Sequence, residues 1–452
     1  METHLNDIAK LMDRVDPAEV LELASALVAI PTVNTGAMPT GNETAACEFI
    51  ASWLAGFGVA SETLESAPGR GNLIARLKGD TGEPGLMFMS HTDVVPVEEE
   101  SKWTSDPFVP VVRNGRLYGR GTADMKAQLA CQLIALRVLK ESGVQLRNDL
   151  VLAAAADEEH GGRYGMGWLV DNHPEKVWAP FAVNEGGGTT VPAAGTTAYL
   201  LGVGEKGRLQ VEIDVVGESA HASVPWQGEN ALVKAAEVVR RISAYEPERD
   251  TSVELFAHLS DLAIEHAPSP ASVDAMIADI ETDTPRLASV LRALSRITIT
   301  PTMVSGGIKS NSVPERVTIT CDVRALPSQD LAYVEQQLTE ILSGMDGVSF
   351  EIDNMAVSNA SPFESGFAAQ IRTATERALD RTDLRWAPLV STGFTDSRFT
   401  RPLGTVTYGF VGMDPTDDSM LRMEHGTDES VAVASLATGA RVMVALAADM
   451  CG

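Results

Sequence analysis

Residues 86–93 read Leu-Met-Phe-Met-Ser-His-Thr-Asp, an apolar run that passes directly into a histidine and a carboxylate. Similar apolar runs occur at 73–77, 149–156 and 180–184. Sequences with helical spacing of their apolar residues lie around them, at 16–29, 43–55 and 123–142. Short apolar strands that alternate with helices are typical of a parallel sheet whose two faces are both covered. The sequence therefore predicts an α/β fold.

The pattern changes after residue 205. Residues 208–216 alternate between polar and apolar side chains, which is typical of a half-buried antiparallel strand. The predicted elements that follow are a helix at 230–244, an acidic helix-like stretch at 272–295, strands at 297–302 and 316–324, a helix at 330–342 and a strand at 348–352. This order matches the ferredoxin-like split βαβ arrangement. After Pro362 the α/β pattern resumes and ends in a helix at 429–448.

Two domains follow from this change of pattern. We expect a parallel-sheet α/β domain formed by residues 1–205 and 359–452, interrupted by an inserted α+β domain at 206–358. A length of 452 residues exceeds what one hydrophobic core usually serves, which agrees with this division.

Composition narrows the class of protein. A hydrophobic content of 44% with 21% charged residues is typical of a globular protein, and we find no uninterrupted apolar run of 18 residues that would span a membrane. The net charge of −27 argues against partners such as nucleic acids and anionic membranes. Four scattered cysteines and an N-terminus without signal-peptide features predict reduced, buried thiols in the cytoplasm.

Polar residues that can bind metals follow the apolar strands. In chain order these are His91 with Asp93, Asp124, Glu158 with Glu159, Glu185 and His425. Taken singly, a histidine at a strand end is more often a hydrogen-bonded polar residue, and adjacent acids usually lie in solvent. However, ligands of open parallel sheets bind at the carboxyl ends of the strands, and five separate segments supply these residues. We therefore predict that they converge at one edge of the sheet.

Imidazole and carboxylate together suit Zn²⁺, Mn²⁺ or Co²⁺. The set has one carboxylate too many for a single tetrahedral ion, which favours two ions about 3.5 Å apart with a shared carboxylate. We predict a site for two divalent ions, with zinc expected and cobalt or manganese as alternatives.

Seven motifs together resemble a known enzyme family. They are SHTDVVP at 90–96, GRGTADMK at 119–126, DEEHGG at 157–162, NEGGG at 184–188, GESAHAS at 217–223, TGFTDSRF at 392–399 and HGTDE at 425–429. The chain resembles the co-catalytic metallohydrolases that include aminoacylase, acetylornithine deacetylase, succinyl-diaminopimelate desuccinylase and bacterial glutamate carboxypeptidase. The resemblance covers nearly the whole chain, and no expected metal position departs from the pattern.

The resemblance implies a role for each predicted ligand. Asp124 would bridge the two ions, with His91 and Glu185 on one of them. Glu159 and His425 would bind the other.

Further roles follow from the same resemblance. Asp93 would orient His91, and Glu158 would be the general base on the water that bridges the ions. The inserted domain would be a lid over the parallel sheet, from which His221 would stabilise the tetrahedral oxyanion. Arg324 with Asn311 would bind the substrate carboxylate. From composition alone, His221 reads as an ordinary loop histidine and Arg324 could be a surface charge. His160, His173, His258 and His266 match no motif and are predicted to be structural or solvated.

The implied activity is metal-dependent hydrolysis of an amide bond in N-acyl amino acids or at peptide C-termini. The substrate would be a small molecule with a free carboxylate, and the enzyme would be a homodimer joined through the inserted domain. Two alternatives stay open at this point. One is a dinuclear aminopeptidase or dipeptidase, or a hydrolase of another C–N bond. The other is an inactive relative that serves as a receptor or scaffold.

Overall fold

The computed structural model describes residues 2–193, 195–265 and 267–452, and His266 lies outside these ranges. The helices in the described residues are α1 (Glu2–Met12), α2 (Pro17–Val28), α3 (Glu43–Ala55), α4 (Ala127–Ser142), α5 (Met166–Asn172), α6 (Ala231–Ala244), α7 (Val273–Ile280), α8 (Pro285–Leu294), α9 (Leu331–Leu342), α10 (Gly366–Leu379), α11 (Ser397–Thr400) and α12 (Val433–Cys451). Their boundaries follow ordinary capping rules. Asp16, for example, caps α2 by accepting a hydrogen bond from Ala18 N, and Pro17 occupies the first helical position.

The strands, in chain order, are β1 (Ser61–Glu65), β2 (Gly71–Leu77), β3 (Pro84–His91), β4 (Val111–Arg113), β5 (Arg116–Tyr118), β6 (Asp149–Ala155), β7 (Phe181–Asn184), β8 (Thr189–Ala193), β9 (Thr196–Glu205), β10 (Gly207–Val216), β11 (Ala220–His221), β12 (Thr298–Gly306), β13 (Ser312–Val313), β14 (Arg316–Ala325), β15 (Val348–Ala356), β16 (Asn359–Ala360), β17 (Arg385–Ser391), β18 (Val406–Gly409) and β19 (Ser430–Ala432). They form four sheets in the described residues, of which two are large.

The larger sheet has the order β1-β2-β6-β3-β7-β18-β9-β16, with β8 and β17 also paired to β9. Its central strands β6, β3, β7 and β18 are parallel, as the sequence predicts. In contrast, β2 runs antiparallel to β6. Residues 78–83 join β2 to β3, and six residues are too few for the crossover that parallel strands require. The sheet is therefore parallel in its centre and antiparallel at its β1–β2 edge, and it has one further parallel pair, β9 with β17.

The helix α12 supports the back of this sheet and packs against α4 and α10. It is long and apolar enough to cross a membrane by length and composition, with a mean hydropathy of 1.4. However, 67% of its most apolar window is buried inside the protein. Burial against other helices therefore accounts for its composition, as in the core helix of a globular domain.

The second large sheet is antiparallel and has the order β12-β14-β10-β15. With α6 and α9 packed against it, this is the ferredoxin-like arrangement that the order of elements predicts. Alternate residues of β10, from Leu209 to Val215, are buried in its core. The fold class predicted from the sequence is confirmed, whereas the exact domain boundaries stay a prediction.

The stretch predicted as one helix at 272–295 is in fact two helices, α7 and α8. Pro285 starts the second helix, and a proline cannot continue a helix from the preceding turn. The segment from residue 253 to 294 also packs in an unexpected place. Its buried residues, including Phe256 and Leu291, belong to the same hydrophobic cluster as the large sheet rather than to the ferredoxin-like core.

Candidate metal centre

Three neighbouring strands deliver the first group of predicted ligands. His91 is the last residue of β3 and lies opposite Ala155, the last residue of β6. Glu158 and Glu159 follow β6 in a single helical turn, and Glu185 follows β7 on the other side of β3. Because these strands are parallel, their carboxyl ends meet at one edge and bring the four side chains together.

Asp124 reaches this edge from a loop rather than from a helix. The helix predicted to begin at 123 begins four residues later as α4, because Asp124 has φ −133° and ψ 97°, which are not helical. Glu429 holds this loop by accepting hydrogen bonds from the backbone nitrogens of Gly121, Ala123 and Asp124 at 2.7–3.1 Å. These contacts hold the loop in place while the backbone of Asp124 is extended.

The carboxylate of Asp124 lies between two histidines. Its Oδ1 is 2.9 Å from Nε2 of His91, and its Oδ2 is 2.9 Å from Nε2 of His425. Glu185 lies on the His91 side, with Oε1 3.5 Å from Nε2, and Glu159 lies on the His425 side, with Oε2 3.2 Å from Nε2. The five side chains therefore form two groups that share Asp124.

The electrostatics of this cluster favour a bound cation. Burial raises the pKa of Glu159 to about 7, and Asp124 adds to this shift. Burial and a neighbouring carboxylate also raise the pKa values of Glu158 and Glu185 well above their usual range. Hydrogen bonds to Asp124 and Glu159 raise the pKa of His425 to about 11. Carboxylates that repel each other at this density are stabilised by divalent cations, which reverse these shifts.

A second observation supports the same interpretation. Oε1 of Glu159 is buried and has no hydrogen-bond partner among the described residues. Ligand atoms of His91, Asp124 and Glu159 lie within 4.8 Å of one another, and so do those of His91, Glu158 and Glu185. The donor set is imidazole and carboxylate, which fits Zn²⁺, Mn²⁺ or Co²⁺. The residues present therefore fit a pair of divalent cations.

Asp93 lies directly behind the ligands and organises two of them. Its carboxylate accepts hydrogen bonds from the backbone nitrogens of Glu158 at 3.1 Å and Glu159 at 3.2 Å, and from Nδ2 of Asn34 at 2.8 Å. The ring of His91 contacts it as well, with Nδ1 3.0 Å from the backbone oxygen of Asp93 and 3.4 Å from Oδ1. Contacts of this kind fix the tautomer and orientation of a metal-binding histidine.

Sequence reasoning missed a buried cluster of three charged residues, which is connected to Asp93 through Asn34. Nη2 of Arg70 lies 2.7 Å from Glu43 and 3.0 Å from Asp157, and all three side chains are almost fully buried. Asn34 links this group to Asp93, because its Nδ2 also donates to Asp157. The sequence shows charged residues within otherwise apolar stretches, and such residues require partners when they are buried. The spacing of residues along the chain does not show which residues those partners are.

The pair of Arg120 and Glu429 was also missed, although Glu429 lies inside a quoted motif. Nη1 of Arg120 is 2.6 Å from Oε2 of Glu429, and both side chains are buried. Nη2 of Arg120 also donates to the backbone oxygen of His425 at 3.3 Å. This pair thus connects the loop of Asp124 to the loop of His425, which carry the shared ligand and one terminal ligand.

A cavity of about 630 Å³ opens in front of the ligands. Its lining includes Asp124, Glu158, Glu159, Glu185, Phe394, His425 and the arginines Arg208, Arg324 and Arg422. Arg324 donates through Nε and Nη2 to Asp322 at 2.7 and 3.3 Å, and through Nη1 to the backbone oxygen of Thr392 at 3.4 Å. Asp322 therefore holds one edge of the Arg324 guanidinium, and Nη1 and Nη2 keep further protons for a ligand.

Four predicted site residues do not line this cavity. His91 and Asp93 are buried behind it and contact its lining residues Asp124 and Glu158. The other two lie elsewhere. His221 and Asn311 lie on the ribbon formed by β11 and β13, and both are exposed. Nδ1 of His221 is 2.7 Å from the hydroxyl of Ser223, and the backbone oxygen of Asn311 accepts a hydrogen bond from Ala222. The structure thus brings these two residues close to each other, but neither is among the residues that line the cavity of this chain.

Comparisons with known proteins agree with this arrangement. The model of peptidase family M20/M25/M40 matches residues 87–449. A probable succinyl-diaminopimelate desuccinylase of Staphylococcus aureus is 27% identical over 383 residues, which cover 84% of this chain and 85% of that protein. Acetylornithine deacetylase of Proteus mirabilis is 34% identical over 230 residues, which cover 49% and 54%. The crystal structure of a family M20 metallo-carboxypeptidase from Sulfolobus solfataricus, 18% identical, superposes with a TM-score of 0.71 over 96% of this chain and 99% of that chain. The chain therefore belongs to peptidase family M20/M25/M40, and it is a metallohydrolase that cleaves amide bonds.

Proposed function

We propose that the enzyme hydrolyses the amide bond of N-acyl amino acids or of C-terminal peptide residues, with two divalent ions and with Glu158 as the general base. The observation that carries this proposal is the cavity in which Glu158, the shared Asp124 and Arg324 all meet. Related proteins whose names describe removal of succinyl and acetyl groups support the N-acyl part of the proposal.

His91 and Glu185 would hold one ion, Glu159 and His425 the other, and Asp124 both, with zinc as the expected metal. When bound, such ions polarise a carbonyl and lower the pKa of water. The protein's part is to hold these side chains at fixed separations. Asp93 contributes to this by fixing the backbone of residues 158 and 159 through its two carboxylate oxygens.

Glu158 is proposed to move the proton. It lines the cavity and lies within 4.8 Å of His91 and Glu185. Within the described residues it forms no ion pair with either histidine, in contrast to Glu185 and Glu159. Its carboxylate would take a proton from the attacking water and return it to the leaving nitrogen. A general base with a pKa above that of an exposed glutamate is suited to both steps at neutral pH. Burial and Glu185 raise the pKa of Glu158 in this direction.

The variant Glu158→Gln tests this role. Loss of a general base typically lowers the rate about 10²–10⁴-fold, while the five proposed ligands stay in place. We expect kcat to fall in this range and the metal content, measured by elemental analysis, to match that of the unaltered enzyme. Glu424→Gln, which also changes a cavity-lining carboxylate, is the control and should retain most of the activity. A Glu158→Gln enzyme with near-normal kcat would contradict the mechanism.

Arg324 is proposed to bind the substrate carboxylate. Asp322 and Thr392 fix its guanidinium, so the group is oriented before the substrate arrives. A planar guanidinium binds a carboxylate through two parallel hydrogen bonds, which orient it as well as attract it. Fixing that end of the substrate places the neighbouring amide against the catalytic group. In a chain with a net charge of −27, such a local cation is needed to attract an anionic substrate.

Arg324→Lys tests this role, because a lysine keeps the charge but cannot contact Asp322 and a carboxylate with the same fork. We expect a large fall in kcat/KM for the variant. With the unaltered enzyme, we expect amidated substrates to be cleaved far more slowly than the free acids. Equal turnover of an acid and its amide would contradict the carboxylate site and favour an aminopeptidase or dipeptidase.

We also propose that the enzyme is a cytoplasmic homodimer in which His221 and Asn311 reach the cavity of the partner. Both residues are exposed on the ferredoxin-like domain and lie outside the cavity of their own chain. The four cysteines are buried and free, as expected for a reducing compartment. An inactive scaffold is not favoured, because the chain retains all five proposed ligands and the base. Asp124, Glu158, Glu159, Glu185 and His425 line the cavity, and His91 contacts Asp124 from behind it.

A further inference from the structure

Two arginines stand directly opposite each other at the edge of the cavity. Arg208 of β10 is the register partner of Arg324 of β14. Opposite residues of antiparallel strands have Cβ atoms about 5 Å apart, and like charges at such positions destabilise the sheet. The acidic residue between them is Asp322, which contacts Nε of Arg208 at 3.4 Å as well as the fork of Arg324. One carboxylate thus serves two guanidinium groups.

The guanidinium of Arg208 is held on one side and open on the other. Its Nε contacts Asp322, and its Cζ lies 5.5 Å from the centre of the Phe394 ring. Within the described part of the chain, neither Nη atom has a hydrogen-bond partner. The side chain is 33% exposed and lines the same cavity as Arg324. The four N–H groups of the two Nη atoms are therefore available to a ligand.

The surroundings of the two arginines differ. Arg324 contacts the backbone of Thr392, whereas Arg208 lies against Phe394. The other neighbour of that ring is a third arginine, Arg398, with Cζ 4.2 Å from the ring centre. Arg398 has Asp396, Glu158 and Glu205 as acidic neighbours, but Arg208 and Arg324 share the single carboxylate of Asp322, which leaves one positive charge in excess. Such an excess is stabilised by an anion, and a single carboxylate on Arg324 leaves Arg208 without one.

We propose that Arg208 binds a second acidic group of the substrate, so that the preferred substrates carry two carboxylates, one for each arginine. This inference rests on the proposed amide hydrolysis and on Arg324 as the site of the first carboxylate. It narrows the substrate class to N-acyl amino acids, or dipeptides, with an additional acid. That acid belongs either to the acyl group or to the side chain next to the scissile bond.

Two matched pairs of substrates test the inference, and each pair changes one acid to its amide. The first pair is N-succinyl-alanine and its terminal succinamide, which differ in the acyl group. The second pair is N-acetyl-glutamate and N-acetyl-glutamine, which differ in the side chain. All four keep the α-carboxylate. A charge-assisted hydrogen bond contributes about 10- to 100-fold, so we expect the acid of at least one pair to have a kcat/KM higher by about that factor.

Variants then assign this preference to Arg208. In Arg208→Gln we expect the acid-to-amide ratio of kcat/KM to fall to near one, and in Arg208→Lys to an intermediate value. The matched control is Arg316→Gln. Arg316 lies on the same strand as Arg324 but pairs with Asp214 and does not line the cavity, so the ratio should stay at the original value.

Three results would overturn the inference. The ratio could be near one for both pairs with the unaltered enzyme, or Arg208→Gln could leave the kcat/KM of the acid and that of the amide both unchanged. Alternatively, Arg208→Gln could lower kcat/KM equally for the acid and the amide, which would mean that both arginines bind the α-carboxylate. If none of the four substrates is cleaved at all, the proposed function itself is wrong, and that result is distinct from the other three.

Discussion

Glu429 illustrates how one buried residue can position proposed metal ligands without being a ligand itself. Its carboxylate accepts hydrogen bonds from three backbone nitrogens of the loop that ends at Asp124 and pairs with Arg120. Arg120 in turn donates to the backbone of His425. The positions of Asp124 and His425 therefore depend on Glu429. This residue is part of the HGTDE motif, but the motif alone does not indicate its role.

We predict that Glu429→Gln lowers metal affinity. Removing a residue that orients metal ligands typically weakens affinity about 10- to 100-fold. Titration of the metal-free protein with zinc against a chelating dye measures this directly and requires no turnover.

Asp417→Asn is the matched control for this prediction. Asp417 is the buried partner of Arg116 and joins the same two regions of the chain, but it does not contact the Asp124 loop. We expect the control to lose thermal stability and keep its zinc affinity. Equal losses of zinc affinity in both variants would contradict the prediction, because they would mean that Glu429 acts only by stabilising the fold.

At the scale of elements, the junction between β9 and β10 contains a buried lysine. Nζ of Lys206 donates to the backbone oxygens of Ala293 at 2.7 Å and Arg296 at 2.9 Å, at the end of α8. A cation near the last carbonyls of a helix is favourable. Burial nevertheless lowers the pKa of Lys206 to about 7, and Arg324 and Arg296 act in the same direction.

This shift predicts a pH dependence of stability. A lysine in an unfolded chain titrates near pH ~10.4. Between about pH 7 and that value the unfolded chain binds one more proton than the folded protein, so stability rises with pH. Below about pH 7 both states are protonated, and the full cost of burying the charge is present.

Lys206→Met should remove this contribution. We expect the free energy of unfolding in urea, measured at pH 7, 8 and 9, to rise less steeply in the variant, by up to about 1.4 kcal/mol per pH unit. Lys10→Met, at an exposed surface pair, is the control and should keep the original slope. Parallel pH profiles for the unaltered protein and Lys206→Met would contradict the prediction.

At the scale of the whole molecule, the ferredoxin-like domain presents an open edge. The strand β12 has a partner on one side only, and its residues Met303 and Val304 are each 63% exposed. Nearby in sequence, Ile308 is 99% exposed. Unpaired edges with exposed apolar residues are sites where another chain can bind. This surface supports the proposed dimer.

Complementation tests whether the partner supplies His221. Mixed subunits of His221→Ala and Glu158→Ala would form heterodimers with one intact site. Random exchange makes half of all dimers heterodimers, so up to about a quarter of the original activity should return. Each variant alone should be nearly inactive. A monomer in dilute solution with full activity would refute the arrangement.

Sequence reasoning was strongest where chemistry follows a strand end. The apolar strands predicted both the central parallel sheet and the edge at which His91, Glu159 and Glu185 now lie together, although their roles stay predictions. It was weakest for residues whose partners are distant in the chain. Arg208 lies in a strand of alternating polar and apolar residues and looks like an ordinary surface charge. Its proposed role depends on its position opposite Arg324, which is 116 positions later in the sequence.

The predicted start of the helix at residue 123 was wrong for a similar reason. Residues 123–142 have a continuous helical pattern, but the backbone of Asp124 is extended, and Glu429 accepts hydrogen bonds from the nitrogens of Ala123 and Asp124 in that conformation. A contact across more than 300 residues has no local signature in the sequence. The same limit applies to His221, whose proposed site would lie on another chain.

The packing of residues 253–294 has a consequence for anyone who wishes to cut this enzyme into parts. By chain order the segment belongs to the insertion, yet Phe256 and Leu291 lie in the core behind the large sheet. The ring of His258 packs edge-to-face against Phe363, and Arg385 donates to the backbone oxygen of Ser260. A shortened enzyme in which a short linker replaced residues 206–358 would lose the buried residues of 253–294 that cover one side of the remaining core. A chimera that exchanged only the ferredoxin-like sheet and kept residues 253–294 would preserve these core contacts.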